Sequence, residues 1–408
     1  MRTASKILLL LSISFLILTR CWKDPELVFV PVPDHNFLMA LIEAGVDTDG
    51  DGEISTIEAE AVKNLVVAED SIADLSGIEA FVNLEFLYCQ FNQLSSIDVS
   101  NNTELVVLGV WNNQLSALDV SNNPNLRTLS CAGNQLGSLD LSNNPELVTL
   151  SCYSNELSTL SVYNNTALEV LNGYNNQLEN LDLSNNYSLR ELDLSNNELT
   201  TLDVSFNGFL ESLEVGGNNL TSLDISNKTR ITMLNCEGNG LTGLDLSTNT
   251  LLEELICRNN FLTELDISNN TELTVLRCEG NLLTALDAHT NSALQTLNCA
   301  NNQLTLLDLS THPALTVLRC YTNQLSSLDV SGLPNLDVLH CSSNLLTRLD
   351  ITNNTLLGQS GNYSCALDIR NMPGLREICV WTAPFPPEGF QLCAQGSDQV
   401  YFTNACSQ

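Results

Sequence analysis

From about residue 65 to residue 357 the apolar positions fall on one fixed template. One unit carries Leu126, Leu129, Cys131, Asn134, Leu136, Leu139, Asp140, Leu141 and Ser142, and the next unit begins at Leu147. Written as a pattern this is LxxLxCxxNxLxxLD(V/L/I)SxNxx, 21 residues long. Its first asparagine returns without a slip from Asn92 to Asn344, giving thirteen rungs. The LxL or LxC stretch alternates apolar and polar residues, which predicts a short strand with one face inward. A strict period of this length predicts a solenoid in which each coil packs only on its neighbours. Parallel strands stack ~4.8 Å apart, so the regular coils should span roughly 60 Å.

The half-unit LxxLxCxxNxL matches the leucine-rich repeat signature, with cysteine often in the third leucine slot. The second half, LxxLDLSxN, is a shortened echo of the first. The chain thus resembles the 21-residue bacterial class of leucine-rich repeats with nested half-units. The expected fold is an α/β-type repeat solenoid, mostly β. It is an arc of about 13 regular coils with short parallel strands, a helix-loop-helix N-terminal cap and an irregular C-terminal cap. The expected organisation is a signal segment (1–20), a tether (21–36), a helix-loop-helix cap (37–64), the solenoid (65–357) and a closing cap (358–408).

Three ladders run along the coils. Each Asn of the Asn92–Asn344 ladder can donate and accept, so it is expected to satisfy backbone groups where the chain turns sharply inside. A second ladder runs from Asp98 to Asp350, broken only by Ser161. Stacked carboxylates repel, so each is expected to accept hydrogen bonds from nearby N–H or Ser hydroxyl groups. The nonapeptide calcium repeat is absent, which disfavours a metal row. Nine cysteines, Cys89, Cys131, Cys152, Cys236, Cys257, Cys278, Cys299, Cys320 and Cys341, share the inward strand slot as small hydrophobes. Their side chains should run parallel, outside disulfide geometry, and remain free thiols.

Charge narrows the partners. With 15 Lys+Arg against 48 Asp+Glu, the net charge of −33 excludes nucleic acid and adsorption to anionic lipid. Arg2 and Lys6 precede the apolar run Ile7–Leu18, the pattern of an export signal too short for a comfortable membrane span. Cys21 follows in a context that resembles a bacterial lipoprotein signal, although Arg20 departs from the small residue expected there. The resemblance implies lipidation of Cys21 and a place at the bacterial outer membrane or cell surface, or secretion otherwise. In that compartment Cys365, Cys379, Cys393 and Cys406, outside the repeat, are disulfide candidates whose pairing stays open.

Before the coils, Asn36–Val46 reads as a short amphipathic helix. The stretch Asp47–Glu58 then matches a twelve-residue EF-hand loop. Asp47, Asp49 and Asp51 hold positions 1, 3 and 5, Gly52 the sharp turn, Glu53 a carbonyl, Ser55 position 9 and Glu58 the terminal carboxylate. An all-oxygen set of this charge suits a structural Ca²⁺. The pattern from Val32 to Phe37, followed by this loop, resembles the N-terminal module of bacterial surface leucine-rich repeat proteins.

Outward strand positions should form the concave ligand surface. Two neighbourhoods depart from small polar filler: Tyr88, Phe91, Trp111, Tyr153 and Tyr174, then Arg258, Arg277, Arg319, Tyr321 and His340. Exposed aromatics are hot-spot material and also stack on sugar rings. Clustered arginines suit a carboxylate or sulfate. No HExxH, GxSxG or triad spacing is present, and the four histidines are scattered, so no catalysis is expected. The expectation is a monomeric, non-catalytic surface protein for adhesion or protein recognition. The alternative is glycan capture by a surface lipoprotein, with any membrane contact made through the N-terminal lipid.

Overall fold

The computed structural model describes residues 28–361 and 364–405; the signal segment, Cys21, the start of the tether and Cys406 lie outside them. The chain winds into a parallel β-solenoid whose main sheet has 16 strands in sequence order. At ~4.8 Å per strand that sheet spans roughly 70 Å. Thirteen of its strands, Phe86–Tyr88 through Val338–His340, belong to the regular rungs. The sheet begins one coil earlier, with Asn64–Val66 beside Phe86–Tyr88. It continues two coils further, through Leu367–Asp368 and Leu392–Cys393.

The C-terminal residues therefore leave the 21-residue period without leaving the solenoid. His340 pairs with Asp368 and Leu367 with Leu392, so these coils are longer. The second halves of the last coils form a three-stranded side sheet of Arg348–Asp350, Glu377–Cys379 and Tyr401–Thr403. A disulfide joins Cys365 to Cys393, with Cα atoms 5.9 Å apart, and Cys379 is also disulfide-bonded. The nine ladder cysteines are free and buried.

Each of the thirteen regular strands is a triplet with a buried central leucine, the shortest unit that puts one side chain inward and two outward. The first asparagine ladder closes the turn after it. Asn113 donates from Nδ2 to the Cys89 and Val110 carbonyls at 3.0 and 3.1 Å, and accepts from the Leu94 amide at 3.0 Å. Each rung thus ties its own coil to the preceding one.

A second buried asparagine file, absent from the sequence expectations, follows the LDLS half. Asn123 is fully buried and donates to the Val99 and Asn102 carbonyls at 3.0 and 2.9 Å. The file runs from Asn102 to Asn354 and is interrupted by Lys228, His312 and Leu333. Lys228 reaches the Ser205 carbonyl at 3.2 Å, and burial lowers its pKa against the opposing pull of Asp224 and Asp203. His312 Nε2 lies 3.0 Å from the Ala288 carbonyl, which requires the proton on Nε2. Ladder aspartates take the expected role, as where the Ser121 amide donates to Asp119 at 2.9 Å.

At the N-terminus, helix α1 (His35–Glu43) and helix α2 (Thr56–Ala61) flank the Asp47–Glu58 loop. Phe37 and Leu41 of α1 are fully buried against the first coil. Asp34 caps α1, accepting from the Asn36 and Phe37 amides, and its other oxygen accepts from Ala73 and Asp74 of the first coil. One carboxylate therefore fixes both the start of the helix and its seat on the solenoid.

Candidate functional site

The outer face of the main sheet carries the first and third residues of every strand triplet, with the residue two beyond beside them. Tyr88 pairs in register with Gly109, and Trp111 folds back over that glycine. A Cβ at Gly109 would lie 2.5 Å from the indole and 3.0 Å from the Tyr88 ring. Gly109 is therefore the floor on which the indole rests. The Trp111 ring meets Tyr88 and Phe91 edge-on, each at 6.5 Å between centroids.

Phe91 precedes the ladder asparagine, a position with positive φ in every regular coil. Elsewhere this slot holds Asn, Gly, Ser or Thr; Phe91 alone puts an aromatic there, at φ 56° and 49% exposed. A left-handed conformation costs an ordinary L-residue about 1–2 kcal/mol. Tyr153 and Tyr174 stack face to face at 4.5 Å, and buried Ala132 separates them from Trp111. The five aromatics thus form two groups rather than one.

In the arginine neighbourhood, Arg258 is held by acidic neighbours and the other members stand apart from it. Arg258 is clamped by Glu237, with Nη2 3.0 Å from Oε1, and lies 3.7 Å from Glu279 on the other side. Burial raises the Glu279 pKa. His340 is committed to the Cys365 carbonyl at 2.8 Å. Arg277 is exposed and Arg319 half-buried, and both align with Asn298, so they stand two coils apart, ~10 Å. Tyr321 is half-buried beside this region. Between the two neighbourhoods the face is acidic, and burial together with Asp193 raises the Glu214 pKa.

The Asp47–Glu58 loop gathers oxygen ligands. Carboxylate atoms of Asp47, Asp49 and Glu58 lie within 4.8 Å of one another. Asp47 accepts from the Gly50 and Gly52 amides at 2.7 and 3.0 Å, which curls the loop around it. Both glycines have positive φ, as such a tight curl requires. The Glu53 amide donates to the Asp51 carboxylate at 2.8 Å, and both side chains stand outside the three-carboxylate cluster. Glu58 is buried, and the Ser55 amide, with Thr48 and the Ser55 hydroxyl, holds its carboxyl at about 2. Ile54 and Thr56 bond back to Val30 and Val28, so the single loop pairs with the incoming chain.

The Leucine Rich Repeat family matches residues 188–210, and the LVIVD repeat matches residues 215–236. No curated protein sequence matches the chain. Among solved structures it is similar to the functional domain of InlJ from Listeria monocytogenes, which includes a cysteine ladder. The two share 32% identity over 85% of this chain and 80% of that one, with a TM-score of 0.73. A leucine-rich repeat protein of Leptospira interrogans shares the fold at 21% identity, covering 85% of this chain and 97% of that one, TM-score 0.70. The internalin InlF of Listeria monocytogenes does so at 24% identity, covering 82% and 96%, TM-score 0.69. The continuous parallel sheet, the in-register ladders and the InlJ likeness lead to one conclusion: this chain belongs to the bacterial leucine-rich repeat family, among the internalin-like proteins.

Proposed function

We propose that this chain is an exported, non-catalytic recognition protein whose sheet face binds another protein through the Tyr88, Phe91 and Trp111 cluster. The carrying observation is Phe91. A large, half-exposed aromatic occupies a left-handed position that other coils fill with smaller residues, mostly Asn and Gly. Local strain retained at a surface invites a functional reading. Trp and Tyr are the residues that anchor interfaces. The glycine floor under Trp111 holds that anchor before any partner arrives, which reduces the entropy lost on binding. Adhesion at the cell surface is the role this arrangement serves best, with the chain delivered by its export signal and held by a lipid on Cys21.

A structural Ca²⁺ in the Asp47–Glu58 loop is the second part of the proposal. The donor set is all oxygen, and three of its carboxylates already converge. Bound there, the ion would neutralise the carboxylates and stiffen the pairing of Ile54–Thr56 with Val28–Val30.

The test is a binding screen of the full chain against an array of purified surface proteins in Ca²⁺, beside Trp111→Ala. A signal lost in the variant supports the reading. No protein signal, or one indifferent to Trp111→Ala, refutes it.

A further inference from the structure

A second group of exposed aromatics lies away from the sheet face, on the turns that follow the LDLS half of the coil. Tyr163, Tyr187, Phe206 and Phe209 are 53, 53, 52 and 45% exposed and come from three consecutive coils. The Tyr187 and Phe206 rings meet edge-on at 6.4 Å. In the next coil Arg230 lies over Phe209, 4.8 Å from its centroid. Other coils fill these slots with Ser, Asn, Thr, Pro, Gly, Ala, Glu, Leu, His or Arg, and none with an aromatic ring of this size. Nothing in the repeat requires rings here.

The surroundings of this ridge indicate what it meets. The Phe209 slot holds Glu104, Glu146 and Glu272 in other coils, but from Tyr163 to Leu251 none of these turns carries a carboxylate. Arg230 forms no ion pair among the described residues and keeps its outward N–H donors. Asn164 and Asn185 each give one Nδ2 bond to the preceding coil, at 3.2 Å, leaving amide oxygens as acceptors. The ridge therefore combines apolar ring surface with neutral donors and acceptors, repeated at the ~4.8 Å coil spacing. A sugar polymer has the matching chemistry: apolar C–H faces, hydroxyls at its edges and a regular repeat. The exposed Asp203 and Asp224, in the adjoining column, would repel an anionic chain.

We infer that this ridge is a binding site for an uncharged polysaccharide, distinct from the Trp111 face. Sugar residues stack on Tyr187 and Phe206, and the carboxamides and Arg230 bond their hydroxyls.

The test is affinity electrophoresis of the full chain in gels containing mannan, xyloglucan or amylopectin, with polygalacturonate as the anionic control. The ridge variant is Tyr187→Thr with Phe206→Asn, residues that other coils carry at those slots, so folding is retained. The expected result is retardation by at least one neutral polymer, weakened about tenfold or more in the ridge variant and unchanged in Trp111→Ala. Four results overturn the inference: no retardation by any neutral polymer, retardation only by polygalacturonate, retardation equal in the ridge variant, or retardation abolished by Trp111→Ala.

Discussion

Replacing Asn218 by Ala separates the two asparagine files by what each leaves unpaired. Asn218 donates to the Leu194 and Val215 carbonyls at 2.9 and 3.0 Å and accepts from the Leu199 amide at 3.0 Å. The carbonyls keep a second donor after truncation, because Asn197 also bonds Leu194 and Asn239 also bonds Val215. The Leu199 amide has no other acceptor among the described residues. One fully orphaned buried N–H costs about 1–3 kcal/mol, and the two weakened carbonyls add a smaller amount, so the total is about 2–4 kcal/mol. Asn207 of the second file differs. Its Nδ2 bonds the Leu183 and Asn186 carbonyls, which also accept from the Asn186 and Leu189 amides. Its Oδ1 is buried without a partner among the described residues, so Asn207→Ala removes an existing penalty along with two bonds. That variant should lose only about 0.5–2 kcal/mol. Exposed Asn143→Ala should change stability by less than about 0.5 kcal/mol. Urea unfolding followed by circular dichroism gives the ranking, and hydrogen exchange at the Leu199 amide reports the site itself. The reasoning is refuted if Asn207→Ala costs as much as Asn218→Ala, or if Leu199 keeps its protection in Asn218→Ala.

Other expectations follow from the same geometry. Ca²⁺ at a hundred times its dissociation constant should stabilise the chain by about 2.7 kcal/mol, and Asp47→Ala should abolish the rise in melting temperature; an EDTA melt identical to the Ca²⁺ melt excludes the ion. Hydrogen bonds from Ser hydroxyls and amides depress carboxyls such as Asp119, Asp182 and Asp203 below the usual 3.8. Their stabilisation is complete above that value and lost as pH falls through the lowered ones, so the melting temperature should hold from neutrality to about pH 5 and drop below about pH 4. A flat profile down to about pH 2 contradicts it. Burial pushes the Cys89, Cys152 and Cys236 thiols up to about 12, so the nine ladder cysteines should ignore a thiol reagent until urea unfolds the coils. Lys228→Asn restores the second file and should raise stability by about 0.5–2 kcal/mol in the same urea assay; a loss would show that the lysine is favourable in place.

Periodicity made the fold legible wherever one residue type had one explanation. Asn92 to Asn344 could only be a structural file, and the strand triplets followed from their spacing. The second file was equally periodic, yet the Asn of SxN lies among Ser, Asn and Pro, where turn chemistry is already a sufficient account. Burial at Asn123 comes from the preceding coil stacking on it, which a local reading does not contain. The last two coils were hidden for a related reason. Their strands pair in register, but the connections lengthen, and a search for a fixed period ends where the period changes. The pairing of Arg258 depends on side-chain reach, which the sequence does not display. Register places Arg258 beside both Glu237 and Glu279, and a long side chain there pairs with its neighbours before any ligand. The role of Gly109 is not legible in the sequence, because a glycine shows nothing of the indole above it.

The repeat offers a physical test for separating function from scaffold, since most positions can be compared with a dozen equivalents in the same molecule. A departure that points inward changes the coil itself. Lys228 and His312 each give up the paired carbonyl bonds of an asparagine for a bond to one carbonyl, and neither offers a partner any surface. A departure that points outward leaves the coil intact and must be explained by what it meets. Phe91 carries backbone strain, and Trp111 depends on a glycine that gives up its own side chain to make room. Tyr187 and Phe206 keep about half of their surface in water. None of these helps the coil to close, since the neighbouring coils close without them. Acidic substitutions show the contrast: a glutamate on a solvated ridge adds solubility at little cost, whereas a run of exposed rings invites self-association. Rings that persist on two separate surfaces of so acidic a chain are therefore better explained by two ligands than by the demands of the fold.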